Sequence, residues 1–131
     1  MRGINLLLGA MFLAGILAAV GCTDGTTAPP PGTGLEILVL KGPIEPVERE
    51  GVENTAPVAE AVLVIRSFGG RRVAELTTNA DGRTRAPLAP GRYTVVVERC
   101  PGALFLPEPA TATVDIGVFA GVRLECDTGI R

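Results

Sequence analysis

The chain has 131 residues, 12 basic and 14 acidic side chains, a formal net charge of −2, and neither histidine nor tryptophan. That length holds one small domain, and the slight acidic excess argues against nucleic-acid binding, which requires a clustered basic surface. The missing histidine removes the usual general base, the Ser-His and Cys-His nucleophile pairs, and most transition-metal sites. Hydrophobic content is 47% but aromatic content only 4%, with 17 Gly and 11 Pro. Many aliphatic residues with frequent turn formers suit a small all-β domain better than a helical one.

Residues 1–21 read as an export signal, with Arg2 as the positive start and an uninterrupted apolar run over 6–20. A run of 15 residues fits a signal-peptide core and is short for a bilayer-spanning helix. It ends in Ala19-Val20-Gly21-Cys22, which resembles the lipobox of bacterial lipoproteins, departing from it at Ala19, where leucine is usual. The resemblance implies cleavage before Cys22 and a lipid on its sulfur, where small side chains admit the peptidase and only a thiol can form the thioether. Losing Arg2 with the leader leaves 11 basic against 14 acidic side chains, a net −3. Thr23 stands where some Gram-negative lipoproteins carry an inner-membrane retention Asp. The resemblance therefore favours an outer-membrane anchor in the bacterial cell envelope over an inner-membrane one. After Cys22, the stretch to residue 34 (TDGTTAPPPGTG from 23) has no apolar periodicity and three consecutive prolines. Such a segment is a semi-extended tether, and a domain is expected over 35–131.

Seven strands are expected in that domain. Residues 35–40 form an apolar strand whose only charge is Glu36, covered on both faces. A long loop over 42–57 follows, GPIEPVEREGVENTAP, in which Glu45, Glu48, Glu50 and Glu53 outnumber Arg49 and three prolines forbid a regular ladder. Residues 61–66 are a core strand, and Phe68-Gly69-Gly70-Arg71 turns the chain. In 72–78, Val73, Glu75 and Thr77 alternate with Ala74, Leu76 and Thr78. Asn79-Ala80-Asp81-Gly82 turns again, with Asp81 as the cap and Gly82 left-handed. Residues 83–88 are polar enough for an edge strand, with Arg83 and Arg85 on one face discouraging edge pairing. In 92–98, Tyr93, Val95 and Val97 point inward and Thr94, Val96 and Glu98 outward. The proline-rich 101–109 packs as a loop. Ala112, Val114 and Ile116 then alternate with Thr111, Thr113 and Asp115. In 118–126, Val118, Ala120, Val122 and Leu124 face inward, with Arg123 and Glu125 outward.

The spacing suits a β-sandwich. The central stretch 77–98, TTNADGRTRAPLAPGRYTVVVE, resembles the carboxypeptidase regulatory-like domains, which are small transthyretin-like sandwiches. The resemblance covers most of 35–125 as a pattern and 77–97 closely. It implies a seven-stranded Greek-key sandwich with the Tyr93 strand in the core and the Asp-Gly hairpin at one end. It implies no activity, and the purine-pathway hydrolases of this broad fold rely on histidine, which is absent here.

With Cys22 assigned to lipid, Cys100 and Cys126 remain, each following a strand. An exported pair is expected to be oxidised. Strict alternation from Val97 turns Cys100 away from the core, so the bridge requires a bend near Arg99. Two thiols alone do not make a zinc site. Asn79-x-Asp81-Gly82 lacks the later acidic ligand of a calcium loop. Lys41, the sole lysine, ends the first strand, where collagen-adhesin B-type domains form an isopeptide, but 118–126 offers no Asn partner. Phe68, Phe105 and Phe119 could stack on a sugar, although core or turn packing is the expected role. No metal, cofactor or catalytic residue is expected. Two functions follow. The first is a non-enzymatic, lipid-anchored module in the periplasm or at the cell surface, binding the membrane through Cys22 and an envelope protein through its surface. The second is a small enzyme or accessory subunit using the carboxylates of the 42–57 loop.

Overall fold

The computed structural model describes residues 28–131. Cys22 and the expected leader lie outside the described residues. Among the described residues there is no helix, and eight strands form two four-stranded sheets. They are β1 (Gly34–Gly42), β2 (Ala56–Pro57), β3 (Val62–Ser67), β4 (Arg72–Thr77), β5 (Arg83–Pro87), β6 (Gly91–Arg99), β7 (Ala110–Val114) and β8 (Phe119–Asp127). The strand beyond the expected seven is β2, a two-residue rung at the end of the acidic loop that pairs with Leu40 and Lys41.

In the first sheet, β5 and β2 pair antiparallel with successive stretches of one edge of β1, and β8 pairs with the other edge in parallel over its whole length. This pairing between the domain's first and last strands makes β1 the central strand, which explains its nearly continuous apolar run. The second sheet runs β4-β3-β6-β7, antiparallel throughout. The chain crosses between sheets through short links, so the inward faces of both close on one core. Leu35, Ile37 and Val39 from β1 meet Leu63 and Ile65 from β3, Val95 from β6, and Val114 from β7, all at 2% exposure or less.

Alternation works where a strand is regular and fails where it stops. Tyr93, Val95 and Val97 are inward as expected, and the Tyr93 hydroxyl donates to the Ala89 carbonyl at 2.6 Å. Ile116 and Val118 were expected to continue the apolar rows of β7 and β8, yet they are 71% and 50% exposed. The cause is a turn: β7 ends at Val114, the Val118 N–H donates to the Asp115 carbonyl, and Gly117 takes φ 81°. The Asp81-Gly82 turn also differs. Asn79, rather than Asp81, is the cap, its Oδ1 accepting from the N–H groups of Asp81 at 2.9 Å and Arg83 at 3.0 Å. Gly82 does take the left-handed conformation, φ 75°.

Thr33 and Gly34, assigned from sequence to the tether, are buried parts of the domain. Thr33 Oγ1 accepts from the Gly117 N–H at 2.9 Å, and the Thr33 carbonyl accepts from Leu88 N–H at 3.1 Å. The incoming chain is thereby fixed to two turns at one end of the sandwich. Thr78 does similar work at the other end. Its hydroxyl donates to the Val58 carbonyl at 2.6 Å and accepts from Ala61 N–H at 2.9 Å. Both bonds are buried, so Thr78→Val, which keeps the shape, strands one donor and one acceptor. The expected loss in chemical denaturation is about 2 kcal/mol, against a near-zero change for the exposed neighbour Thr77→Val.

Candidate functional site

The acidic loop and the two ends of the sandwich hold what the surface offers to a partner. The loop leaves β1 at Gly42 and returns at β2, and one side chain ties its base. Asn54 Oδ1 accepts from the N–H groups of Ile44 and Glu45, and Asn54 Nδ2 donates to the Glu45 carbonyl at 3.1 Å. A backbone bond from Ile44 N–H to the Asn54 carbonyl completes the staple. The base of the loop is therefore fixed, while residues 46–53 beyond it are exposed, with one backbone bond among them, from Val52 N–H to the Arg49 carbonyl.

Two open clefts line it. One, of about 390 Å³, is bounded by Pro43, Glu48, Arg49, Val52, Glu53 and Glu125 among others. The other, of about 210 Å³, brings Glu45, Arg49 and Val52 against the loop stem. Glu45 faces Arg49 at 4.0 Å, and Arg123 stands 3.7 Å from Glu53 and 4.0 Å from Glu125. Glu48, on the wall of the larger cleft, and Glu50 are both exposed. These carboxylates are exposed and in part countered by arginine, so water screens them and their mutual coupling is weak. Among the described residues, no group of three or more His, Cys, Asp or Glu side chains is placed to hold a metal ion.

The bridge of Cys100 to Cys126 closes the same end of the molecule, with the two Cα atoms 6.7 Å apart. The parity problem is solved by a bulge. Val62 pairs with Arg99 while Leu63 pairs with Val97, so Glu98 is an extra residue in β6. That one residue turns Cys100 from the outer face to the core, where it is 6% exposed. The C-terminal residues pack here too. The Asp127 carbonyl accepts from Leu104 and Phe105, and Thr128 N–H and Oγ1 bond to Gly42 and Pro43 carbonyls. Asp127 is held below the ordinary carboxylate value by its hydrogen bond from Arg131, then by the Gly129 N–H.

On the outer face of the first sheet, Arg83 and Arg85 of β5 share a face as expected and both point at Glu36. Their guanidinium nitrogens lie 3.8 Å and 2.6 Å from its carboxylate. The hydrogen bond from Arg85 is the main cause lowering the Glu36 pKa from 4.5, with Arg85 and Arg83 charge adding to it. Because the folded value is depressed, this contribution to stability is complete above about pH 4.5 and fades as pH falls through the folded value. NMR titration is expected to show the Glu36 carboxyl below 4.5, and Arg85→Gln to move it back up. Arg85 also lies over the Phe119 ring, 4.2 Å from its centroid.

The three phenylalanines considered for stacking do not form one platform. Phe119 starts β8, Phe105 lies in the 100–109 loop at the opposite end, and Phe68 tips the β3–β4 turn, 75% exposed. Sequence reading took Phe68 for turn or core packing. Its exposure could have been suspected from its place between a strand end and two glycines.

No protein-family model matches the chain, and none of the curated proteins matches it. Among solved structures it is similar to GBS52, the minor pilin of the Gram-positive pathogen Streptococcus agalactiae, at 19% identity and a TM-score of 0.56. That match covers 73% of this chain and 44% of the pilin, so the chain spans less than half the pilin's length. It is also similar to the 5-hydroxyisourate hydrolase of Klebsiella pneumoniae, at 21% identity and TM-score 0.48, covering 74% of this chain and 91% of that one. A match to the TIE protein of Bacillus anthracis has 15% identity and TM-score 0.46, covering 91% of this chain and 18% of that one. At such identities the likeness to the pilin shows the fold alone: this chain is an all-β, two-sheet sandwich.

Proposed function

We propose that the protein is a non-enzymatic sandwich module of the bacterial cell envelope, held to a membrane by lipid on Cys22 and carrying a structural or protein-binding role. The observation that carries the non-enzymatic reading is the use of its buried polar groups. The two buried polar side chains of the domain, Thr33 and Thr78, are committed to holding backbone. The carboxylates of the acidic loop are solvated, and a site of that kind gives a general acid or base little to work with. The anchor rests on the Ala19-Val20-Gly21-Cys22 sequence and on the prolines that separate Cys22 from Thr33. No helix among the described residues is long and apolar enough to cross a membrane. Outer-membrane placement is favoured over inner because Thr23, rather than the retention Asp of some Gram-negative lipoproteins, follows the cysteine.

Metabolic labelling with palmitate tests this directly. The expected result is a labelled chain whose label disappears in Cys22→Ala; unchanged labelling in that variant would remove the anchor. The second reading, an acid–base enzyme or accessory subunit, is favoured by the cleft that gathers Glu48, Glu53 and Glu125. It predicts an activity that Glu53→Gln abolishes while leaving the fold intact.

A further inference from the structure

The two ends of the sandwich differ in the charge they leave exposed, although Arg49 and Arg123 offset glutamates at one and Asp115 lies in a turn of the other. The acidic loop, with Glu45, Glu48, Glu50 and Glu53, lies at the end where β1 finishes. The incoming chain enters at the other end, where β1, β6 and β8 begin and β3, β5 and β7 finish. At this entry end Phe68 projects from the Ser67–Arg71 turn at 75% exposure. Around it stand Arg66, Arg71 and Arg92. Arg92 lies over the Phe68 ring, 5.2 Å from its centroid, and Arg66 donates to the Gly70 carbonyl at 3.2 Å within the same turn. Among the described residues none of these three arginines has a carboxylate within ion-pair distance, whereas Arg72, Arg83 and Arg85 do. The β7–β8 turn adds Ile116 and Val118 at the same end, 71% and 50% exposed.

From this arrangement we infer that the entry end docks on an anionic lipid surface, with Phe68 and Ile116 entering the headgroup layer and Arg66, Arg71 and Arg92 meeting the phosphates. The apolar side chains sit on separate projecting turns, a shape suited to a soft planar layer. Each basic residue near an anionic bilayer contributes about 1 kcal/mol, and an aromatic at the interface adds apolar burial. In the reversed orientation the loop glutamates would meet the same anionic surface, so charge sets the orientation as well as the attraction. The setting rests on the membrane attachment proposed above, since a tether leaving from Thr33 delivers this end to the bilayer first. The lipid on Cys22 then supplies the stable attachment, and docking of the entry end sets the orientation of the domain it holds at the surface.

The chain has no tryptophan, so Phe68→Trp gives a single reporter. The full chain, purified from membranes with this substitution, is reconstituted with vesicles of brominated phosphatidylcholine, with and without phosphatidylglycerol. The matched control is Val52→Trp in the acidic loop, where Val52 is 59% exposed. The expected result is a blue-shifted, bromine-quenched indole at position 68 with anionic vesicles, relieved by salt and weak with phosphatidylcholine alone. The indole at position 52 stays unquenched in both. The triple change R66Q/R71Q/R92Q is expected to lower the docked-to-undocked ratio roughly 100-fold and abolish the quench. Quenching at 68 no greater than at 52 with anionic vesicles would overturn the inference and leave this end to a soluble partner, and so would quenching unaffected by the triple change. Flotation is read separately. A chain that fails to float with phosphatidylcholine contradicts the lipid anchor, while salt-sensitive flotation with the anionic vesicles and quenching at 68 would still support docking.

Discussion

Cys100→Ser together with Cys126→Ser is expected to lower the domain's stability by about 3.5 kcal/mol. The bridge spans 26 residues, and loop-closure entropy for a span of that size gives this magnitude in the chain-entropy model. The bond ties the end of β6 in one sheet to the end of β8 in the other. Both side chains are within the core, at 6% and 0% exposure. For a domain of about 100 residues the loss corresponds to a fall in Tm of about 20 °C. Thermal unfolding of the wild type with and without reductant checks the same term without a substitution. A double variant melting within a few degrees of the wild type would show that the bridge contributes little.

Gly82→Ala carries the second large effect. Gly82 takes φ 75°, and a Cβ there would stand 2.6 Å from the Val39 carbonyl oxygen and 3.0 Å from the Val58 nitrogen. Those are backbone atoms of β1 and of the segment entering β3. The Val39 N–H also donates to the Gly82 carbonyl at 2.8 Å, so the turn cannot swing away without losing that bond. Left-handed strain of about 1–2 kcal/mol and overpacking of about 1–3 kcal/mol combine to a loss of about 3 kcal/mol. Gly51 offers the comparison, with φ 77° and nothing within 4 Å of a built Cβ. Gly51→Ala is expected to lose only the strain component, and urea midpoints of the two variants distinguish the causes.

Much of the fold could be read from residue alternation because each strand has one buried face. Tyr93, Val95 and Val97 announced the inward row of β6, and Arg83 with Arg85 announced an outward face, since both must find Glu36 or water. The Asp-Gly turn was readable because Gly82 sits where only a left-handed residue fits. What escaped depends on partners distant in sequence or on single-residue irregularities. The parallel pairing of β1 with β8 has no local signature. The extra Glu98 that turns Cys100 inward is a bulge, which periodicity can require but not place. Asn79 took the cap from Asp81 because its Oδ1 reaches two N–H groups at once. Ile116 continued an apolar alternation yet lies outside, because β7 had already ended. Thr33 looked like tether composition and is instead the residue that fastens the tether's end to two turns.

The candidate site was less legible than the fold. The acidic loop was visible as composition, but the closure of its stem comes from Asn54, whose role needs the positions of Ile44 and Glu45 across that stem. The basic and apolar entry end was invisible from sequence, because Arg66, Arg92 and Ile116 are far apart along the chain and meet only when both sheets form.

The most direct measurement is the intact mass of native protein extracted from membranes, taken with and without reductant and after thiol alkylation. A mass that begins at Cys22 and carries a diacylglycerol, with two further thiols alkylated only after reduction, is the predicted result. A mass that retains residues 1–21, or two thiols that alkylate without reductant, would contradict the anchored, disulfide-closed module described above.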